Sequence, residues 1–541
     1  MTTIGDAEHD PPMSPISDGD LVTLPSLLER NARAWGSNVF ALFEDGTSWT
    51  WSDAVDQMCR AADVLNGYGL ARSDRVLVMM DNSPDWLRSW SGIAAIGAIT
   101  VPLNTAFRGP ILQRFCELSC ATHVIASGEF AERVREVSPR TICIEPEELR
   151  QGQAITLELN PPLQHWDLNA IMFTSGTTGA SKGVVTPWLQ TFMGGWPIFG
   201  AGAGLQPADR WLIDLPLFHV GGQQALLAAI DVGASVAIRG RFTAGNYWST
   251  AKAIGATRSM VVASMLDMLI DQPPASTDRD HSIRSMVVCP VSPGRMMDFM
   301  ERFGIAEIRT ALGSTETGAP IFGLVEEEPI AGWVGRARPG IEVQVVDDHD
   351  VRVAEGTVGQ LLLRSRRAWE ISPEYLADAE ATRAAWMHGW FHTGDAVRMD
   401  TEGNIYWIDR IKDTIRRRGE NVSSVEVEQV ILQYPGIAEV ACVPAQDELG
   451  DEEIKAWMVV KDGGELDLPD LVRMLADQLP YFMVPRFFEV IHSLPRTVTM
   501  RVQKNRLRDM SPGRDAWDRV MAGMVVGRSG LREPSEGVHS E

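Results

Sequence analysis

Positive charge is scarce in this chain. Lys and Arg number 49 against 72 Asp and Glu, a formal balance of −23 over 541 residues. No broad basic field exists to gather nucleic-acid phosphates, which excludes a nucleic-acid binder and leaves room only for a local basic pocket. Cysteine is sparse as well. Cys59, Cys116, Cys120, Cys143, Cys289 and Cys442 are scattered, and only Cys116 and Cys120 stand close, at helical i, i+4 spacing. Paired metal-ligand spacing is absent, so small buried hydrophobes in a reducing compartment are expected rather than a disulfide framework. Long apolar runs are missing: none approaches about 20 residues, and no membrane-spanning helix is expected. The opening MTTIGDAEHDPPMSPISDGD lacks the basic and apolar regions of a signal peptide, so the expected location is cytoplasmic. Internal repeats are lacking too.

What is present is an ordinary globular composition, 45% hydrophobic and 22% charged, at a length that suggests two to four domains of about 150 residues. Residues 1–20 and the tail 527–541 are polar without apolar periodicity and are expected to be disordered. From Leu24, helical patterns such as SLLERNARAW and WSDAVDQMCRAADVLNGYG alternate with the short β-rich runs DRVLVMM, ATHVIAS and RTICIE. RWLIDLP, ASVAIRG, TRSMVVAS and SIRSMVVCP repeat the rhythm after residue 185. This alternation predicts an α/β fold of two subdomains. Between about 331 and 409 the pattern changes to short strands and turns, IEVQVVDDHDVRV and VGQLLLRSR, which predicts a small β-barrel. Residues 410–526 mix helical EVEQVILQYP and DLVRMLADQLP with the strands EVACVPA and IKAWMVVK, and read as a smaller α+β domain.

The chemistry concentrates in 171–185, IMFTSGTTGASKGVV. An apolar strand stops at Thr174, and Ser175, Gly176, Thr177, Thr178, Gly179, Ala180, Ser181, Lys182 and Gly183 follow with almost no bulk. Glycines let backbone N–H groups approach phosphate oxygens, hydroxyls add donors and Lys182 adds charge, so the loop suits a polyphosphate such as that of ATP. It misses the Walker pattern, because Gly176 to Lys182 is one residue too long and Gly183 replaces the Ser/Thr that holds magnesium. Taken alone, the stretch also reads as a Gly/Ser/Thr linker.

This loop, with LPLFHVGG (215–222), LGSTETG (312–318), GWFHTGD (389–395), DRIKDTIRRRGENVSSVEVE (409–428) and LPRTVTMRVQK (494–504), resembles the adenylate-forming superfamily. That superfamily comprises acyl- and aryl-CoA synthetases, non-ribosomal adenylation domains and luciferase, and the crotonobetaine/carnitine-CoA ligase-like branch is the most similar. The resemblance implies a large N-terminal domain, a mobile C-terminal lid, and an ATP- and Mg2+-dependent ligase that forms an acyl-adenylate and passes it to CoA. Under it, Thr174 to Gly179 and Lys182 hold the β- and γ-phosphates, and Gly313 and Ser314 lead to Thr315, which bonds the α-phosphate. Glu316 holds the metal. Asp395 accepts from the ribose hydroxyls, Arg410 reaches ribose or phosphate, Lys412 is the hinge of the lid, and Gly419 approaches the CoA channel. His219 gates the acyl pocket, whose other residues lie near Trp196, Val220, Gly221, Gly222 and 311–320, a set suited to a flat aryl acid. Arg416, Arg417 and Arg418 either meet CoA phosphates or form a solvated helical face.

Two departures stand out. Leu312 replaces the aromatic residue that stacks on adenine. Thr499-Met500-Arg501 replaces Thr-Gly-Lys, so Arg501 stands where the adenylation lysine inserts, with a planar fork in place of a compact ammonium. Lys504 is not that lysine. The Met500-Arg501 pair motivates two alternatives. One is an ATP- and nitrite-dependent diazotase acting on an aminoaryl acid, as in antibiotic biosynthesis. The other is a nucleotide-binding protein with degenerate catalysis. The expected partners are thus a small carboxylic or aminoaryl acid and either CoA or nitrite, with no nucleic acid.

Overall fold

The computed structural model describes residues 22–155, 159–174, 182–289, 295–325, 330, 332–411, 415–417, 420–422, 424–446, 452–461, 463–497, 502–510, 516–527 and 530–532. The α/β rhythm of the sequence resolves into two large sheets. Six strands form the first, in the order Ile142–Ile144, His123–Ile125, Arg75–Val78, Ile99–Pro102, Leu168–Phe173 and Gly183–Pro187. The first five run parallel and the last returns antiparallel. Helices pack on them because their apolar faces have nowhere else to go. One, Trp51–Gly67, begins with a capping box in which Thr50 Oγ1 accepts from Asp53 N at 3.1 Å and Asp53 Oδ2 accepts from Thr50 N at 2.8 Å.

The second sheet takes Arg210–Ile213, Ser235–Ile238, Arg258–Val262 and Ser285–Cys289, the four strands expected after the glycine loop, as its parallel centre. Its outer edge is supplied from far upstream: Val39–Phe43 pairs parallel with Ser235–Ile238, and Ser48–Thr50 folds back on it. The two sheets meet through tryptophans. Trp90 lies 6.1 Å from Trp188, stacked, and donates Nε1–H to Asn169 Oδ1 at 2.8 Å, so the indole polar edge is satisfied inside the core.

The stretch expected to close as a β-barrel instead continues this second sheet. Glu307–Ser314, Gly318–Val325, Trp333–Ala337, Ile405–Arg410, Trp390–Met399, Gly359–Ser365 and Ile341–Val346 follow one another as neighbours, and the path is open at its end among the described residues. Trp333–Ala337 pairs on both sides, with Gly318–Val325 and with Ile405–Arg410, so it links the two halves of the sheet. Gly335, at φ 95°, permits this, since a Cβ there would fall 1.9 Å from Phe322 O.

Beyond Arg410 the chain builds a smaller domain around its own four-stranded sheet, Ile437–Gln446, Glu452–Val460, Phe487–Val490 and Trp517–Asp518. Val427, Ile431, Leu471, Leu475 and Phe488 form its core. The C-terminal tail begins later than expected from the sequence. Val525–Gly527 pairs with Gly530–Arg532, and Val526 and Leu531 pack on that same core, because two apolar side chains suffice to anchor a short hairpin. Residues 1–20 and the end of the tail lie outside the described residues. Cys116 is buried inside the Gly109–Ser119 helix, whereas Cys120 is exposed at its left-handed end, so the pair does not share a helical face. No helix among the described residues is long and apolar enough to cross a membrane.

One buried charge disturbs the apolar run RWLIDLP. The Asp214 side chain is fully enclosed, with Arg239 Nε 3.6 Å from its Oδ1. Burial raises its pKa from the usual 3.8 to about 7, with Arg239 opposing and Glu44 assisting. Between those two values the folded chain keeps a proton that the unfolded chain has lost. Asp214 therefore lowers stability progressively as pH rises through that window, and the stability its protonated form contributes is fully present below it. Asp214→Asn should gain on the wild type in thermal denaturation from pH 5 to pH 7, with the difference level at higher pH. A pH-independent difference would contradict this assignment.

Candidate active site

The glycine loop joins two antiparallel strands, with Phe173 opposite Gly183 and Ile171 opposite Val185. Thr174 N–H donates to Lys182 O at 3.0 Å, and Lys182 N–H donates to Thr174 Oγ1 at 3.2 Å. The loop is thereby pinched at its base. Ser175, Gly176, Thr177, Thr178 and Gly179 lie outside the described residues, as do Lys412, Gly419, Met500 and Arg501.

A segment that the sequence did not single out, 372–376, runs along the open edge of Gly183–Pro187. Leu376 N–H donates to Gly183 O at 2.7 Å, Val185 N–H to Glu374 O at 3.2 Å, and Ser372 Oγ–H to Val185 O at 2.7 Å. This brings Tyr375 under Lys182, whose Nζ lies 4.4 Å from the ring centroid. Tyr375 Oη–H donates to Glu316 Oε1 at 2.7 Å. Burial pushes the phenol well above its usual pKa, and the charge and hydrogen bond of Glu316 add to this, so it remains a donor.

Glu316 is only 9% exposed and sits in the turn between Glu307–Ser314 and Gly318–Val325. Ser314 N–H donates to Thr317 Oγ1 at 3.2 Å, and Ser314 pairs with Gly318. A side chain at Gly313 is impossible without moving backbone, since its Cβ would fall 1.8 Å from Gly318 O. Two outside contacts hold the turn in place: Gln190 Nε2–H donates to Thr315 O at 2.6 Å and Ser372 N–H donates to Glu316 O at 2.8 Å.

Asp395 and Arg410 face each other across neighbouring strands. Arg410 Nε lies 3.0 Å from Asp395 Oδ1, Trp407 Nε1–H donates to the same oxygen at 3.1 Å, and Arg410 Nη1–H donates to Thr393 O at 2.9 Å. Leu312, Gly313, Ser314 and Thr317 from one motif line a small common recess with Thr393 and Asp395 from the other and with Leu361 and Leu363 of the Gly359–Ser365 strand. Thr174, Lys182, Gly313, Ser314, Thr315, Glu316, Asp395 and Arg410 thus fall along one continuous set of contacts. His219 precedes the Val220–Val232 helix, with its ring centroid 4.7 Å from that of Phe218. Gln224, on the same helix, puts its amide where a Cβ at Gly194 or Gly318 would meet it at 2.1 or 3.0 Å.

Two motif residues prove structural. Lys504 donates to Ser424 Oγ at 2.5 Å and pairs with Glu428 at 2.7 Å. Burial opposes its charge, yet Glu428 and Asp409 outweigh it and hold the ammonium above its usual pKa. Arg417 lies on the strand Ile415–Arg417, not on a solvated helix, and is buried against Glu453 at 2.6 Å.

Set beside known proteins, residues 28–376 match the AMP-binding enzyme family and residues 426–501 the AMP-binding enzyme C-terminal domain. The chain belongs to the AMP-binding enzyme family. It is an ATP-dependent adenylate-forming ligase of the acyl/aryl-CoA synthetase type. It is 30% identical over 510 residues to the crotonobetaine/carnitine–CoA ligase of Salmonella agona strain SL483, covering 88% of this chain and 97% of that one. A Mycobacterium tuberculosis fatty acyl CoA synthetase superposes with TM-score 0.71 at 27% identity, over 91% of this chain and 98% of the other. The O-succinylbenzoate coenzyme A synthetase of Bacillus subtilis, solved with ATP and magnesium ion, gives TM-score 0.80 at 23% identity, over 89% and 98%.

Proposed function

We propose that this ligase joins a small carboxylic acid to CoA through an acyl-adenylate. The observation that carries the reading is the contact between Lys182, Tyr375 and Glu316, with Asp395 beside the 312–317 turn. Leu312, partly buried over the core that holds Leu361 and Leu363, offers an apolar contact for adenine, and Asp395, braced by Arg410 and Trp407, accepts from the ribose hydroxyls. The donors suit magnesium: Glu316 is an oxygen ligand, and among the described residues only its Oε1 is taken by a hydrogen bond. Among the described residues no group of three or more His, Cys, Asp or Glu could cage a metal, which fits an ion carried in by the nucleotide phosphates. Magnesium there supplies charge neutralisation on the phosphates.

In the first step a substrate carboxylate oxygen bonds to the α-phosphorus and the bond to the pyrophosphate oxygen breaks. Lys182 and the 174–182 loop stabilise the charge that develops on pyrophosphate, Thr315 bonds the α-phosphate, and Arg501 supplies positive charge between the two reactants. In the second step the CoA thiolate bonds to the acyl carbon and AMP leaves, after the lid has turned about Lys412 so that Gly419 faces the CoA channel. His219 and Trp196 border the acid, beside Gly221, where an added Cβ would make only an ordinary contact with Leu215, whereas Gly222 packs closely on the Pro216 carbonyl. Incubation with ATP, magnesium, CoA and a panel of fatty, aryl and betaine-like acids should yield AMP, pyrophosphate and a thioester. No AMP or thioester with any acid would end the proposal.

Met500-Arg501 favours a second reading, in which nitrite replaces the carboxylate and an aryl amine replaces the thiol, because a small oxyanion needs no compact lysine beside it. Nitrite-dependent loss of an aminoaryl acid without CoA would support it, and indifference to nitrite would dispose of it.

A further inference from the structure

Tyr375 touches both ends of the proposed phosphate site. Its ring lies under Lys182 at 4.4 Å and its hydroxyl donates to Glu316 at 2.7 Å. The backbone on either side is fixed: Leu376 and Glu374 bond the Gly183–Pro187 strand, and Ser372 N–H donates to the Glu316 carbonyl. Lys182 makes no ion pair among the described residues, so a neutral ring steadies the ammonium and leaves its charge for a phosphate. The hydroxyl occupies Oε1 of Glu316 and so fixes which way the carboxylate turns its other oxygen.

We infer that Tyr375 is a positioning residue that sets the separation between the phosphate-binding cation Lys182 and the magnesium-binding carboxylate Glu316. The inference rests on the reading of those two residues given above. It assigns the two parts of one side chain to two separable effects. The hydroxyl acts through Glu316 on the metal-dependent part of nucleotide binding, and the ring acts through Lys182 on the metal-independent part.

The test is isothermal titration of the full chain with ATP in EDTA and with magnesium-ATP, beside initial rates of pyrophosphate release. Tyr375→Phe keeps the ring, so metal-free ATP affinity should stay within about twofold, while the gain in affinity on adding magnesium falls roughly tenfold. Tyr375→Met keeps bulk but not the ring, and should also weaken metal-free ATP binding by roughly threefold to tenfold. In a Glu316→Gln background Tyr375→Phe should have no further effect on the magnesium gain, whereas a residue that merely supports the fold would add its effect to the first. A wild type that binds magnesium-ATP together with a Phe variant of unchanged magnesium gain would overturn the inference alone. A wild type without affinity for ATP would overturn the reading of the site as well. If the Met variant does not fold, the Phe variant and its cycle with Glu316→Gln still decide the point.

Discussion

Glu316→Gln should slow pyrophosphate release by on the order of a hundred- to a thousandfold while leaving the protein folded. The exchange is isosteric, and a glutamine oxygen can still accept from Tyr375 Oη, which now lies 2.7 Å from the carboxylate. The backbone contacts of the turn, Ser372 N–H to Glu316 O and Gln190 to Thr315 O, do not involve the lost charge. What disappears is one negative charge in a site only 9% exposed, where water screens it poorly and where, on the proposed reading, a magnesium ion would depend on it. Thermal stability should therefore change by no more than about 1 kcal/mol. Pyrophosphate release and a melting curve on the same sample check both halves. A rate within about tenfold of the wild type would remove Glu316 from the metal site.

Glu370→Ala should be the most damaging single change to stability among those considered, at about 3–5 kcal/mol. Glu370 is 3% exposed and pairs with Arg338, itself 2% exposed. Ser365 Oγ–H donates to the same carboxylate. Truncation leaves a guanidinium charge in the interior without its counterion, and that cost exceeds what the pair gains over an apolar replacement. Arg338→Met combined with Glu370→Leu should then be less harmful than Glu370→Ala alone, a sign reversal that a purely local packing defect would not produce. Glu370 also stands two residues before Ser372, so loosening it should lower activity through Tyr375 and Glu316. Denaturant unfolding measures the first effect and pyrophosphate release the second. A melting temperature within about 2 °C of the wild type would refute the buried-pair argument.

Much of the site was legible in the sequence because its motifs are local. Thr174 and Lys182 close one hairpin, Gly313 to Glu316 occupy one turn, and Asp395 and Arg410 sit on adjacent strands, so each short segment carries its own geometry. Tyr375, Gln190 and Gln224 were not legible. Each acts by reaching a backbone or side chain far along the chain, Gln190 to Thr315 and Tyr375 to Glu316 for example, and a single Tyr or Gln has no spacing to betray it. A partial signal existed for Gln224. The Gly194-Gly195 pair inside the Trp188–Phe199 helix is costly unless something packs against it closely, and the Gln224 amide and backbone do so.

Composition and periodicity by themselves determined the class of the fold and the positions of its central strands, and they marked the 174–183 loop as one open to phosphate; the other candidate site residues came from the resemblance of short motifs. These follow from local rules: apolar alternation makes strands, and glycines with hydroxyls make loops open to phosphate. Only the tertiary structure decided that Val39–Phe43 crosses to the second sheet, that the strands from 333 to 410 join that sheet, with no barrel closure among the described residues, and that Tyr375 joins Lys182 to Glu316. Strand partners and buried polar contacts are chosen by global packing among many sequences of similar pattern, and that choice is made by shape and burial rather than by any one segment.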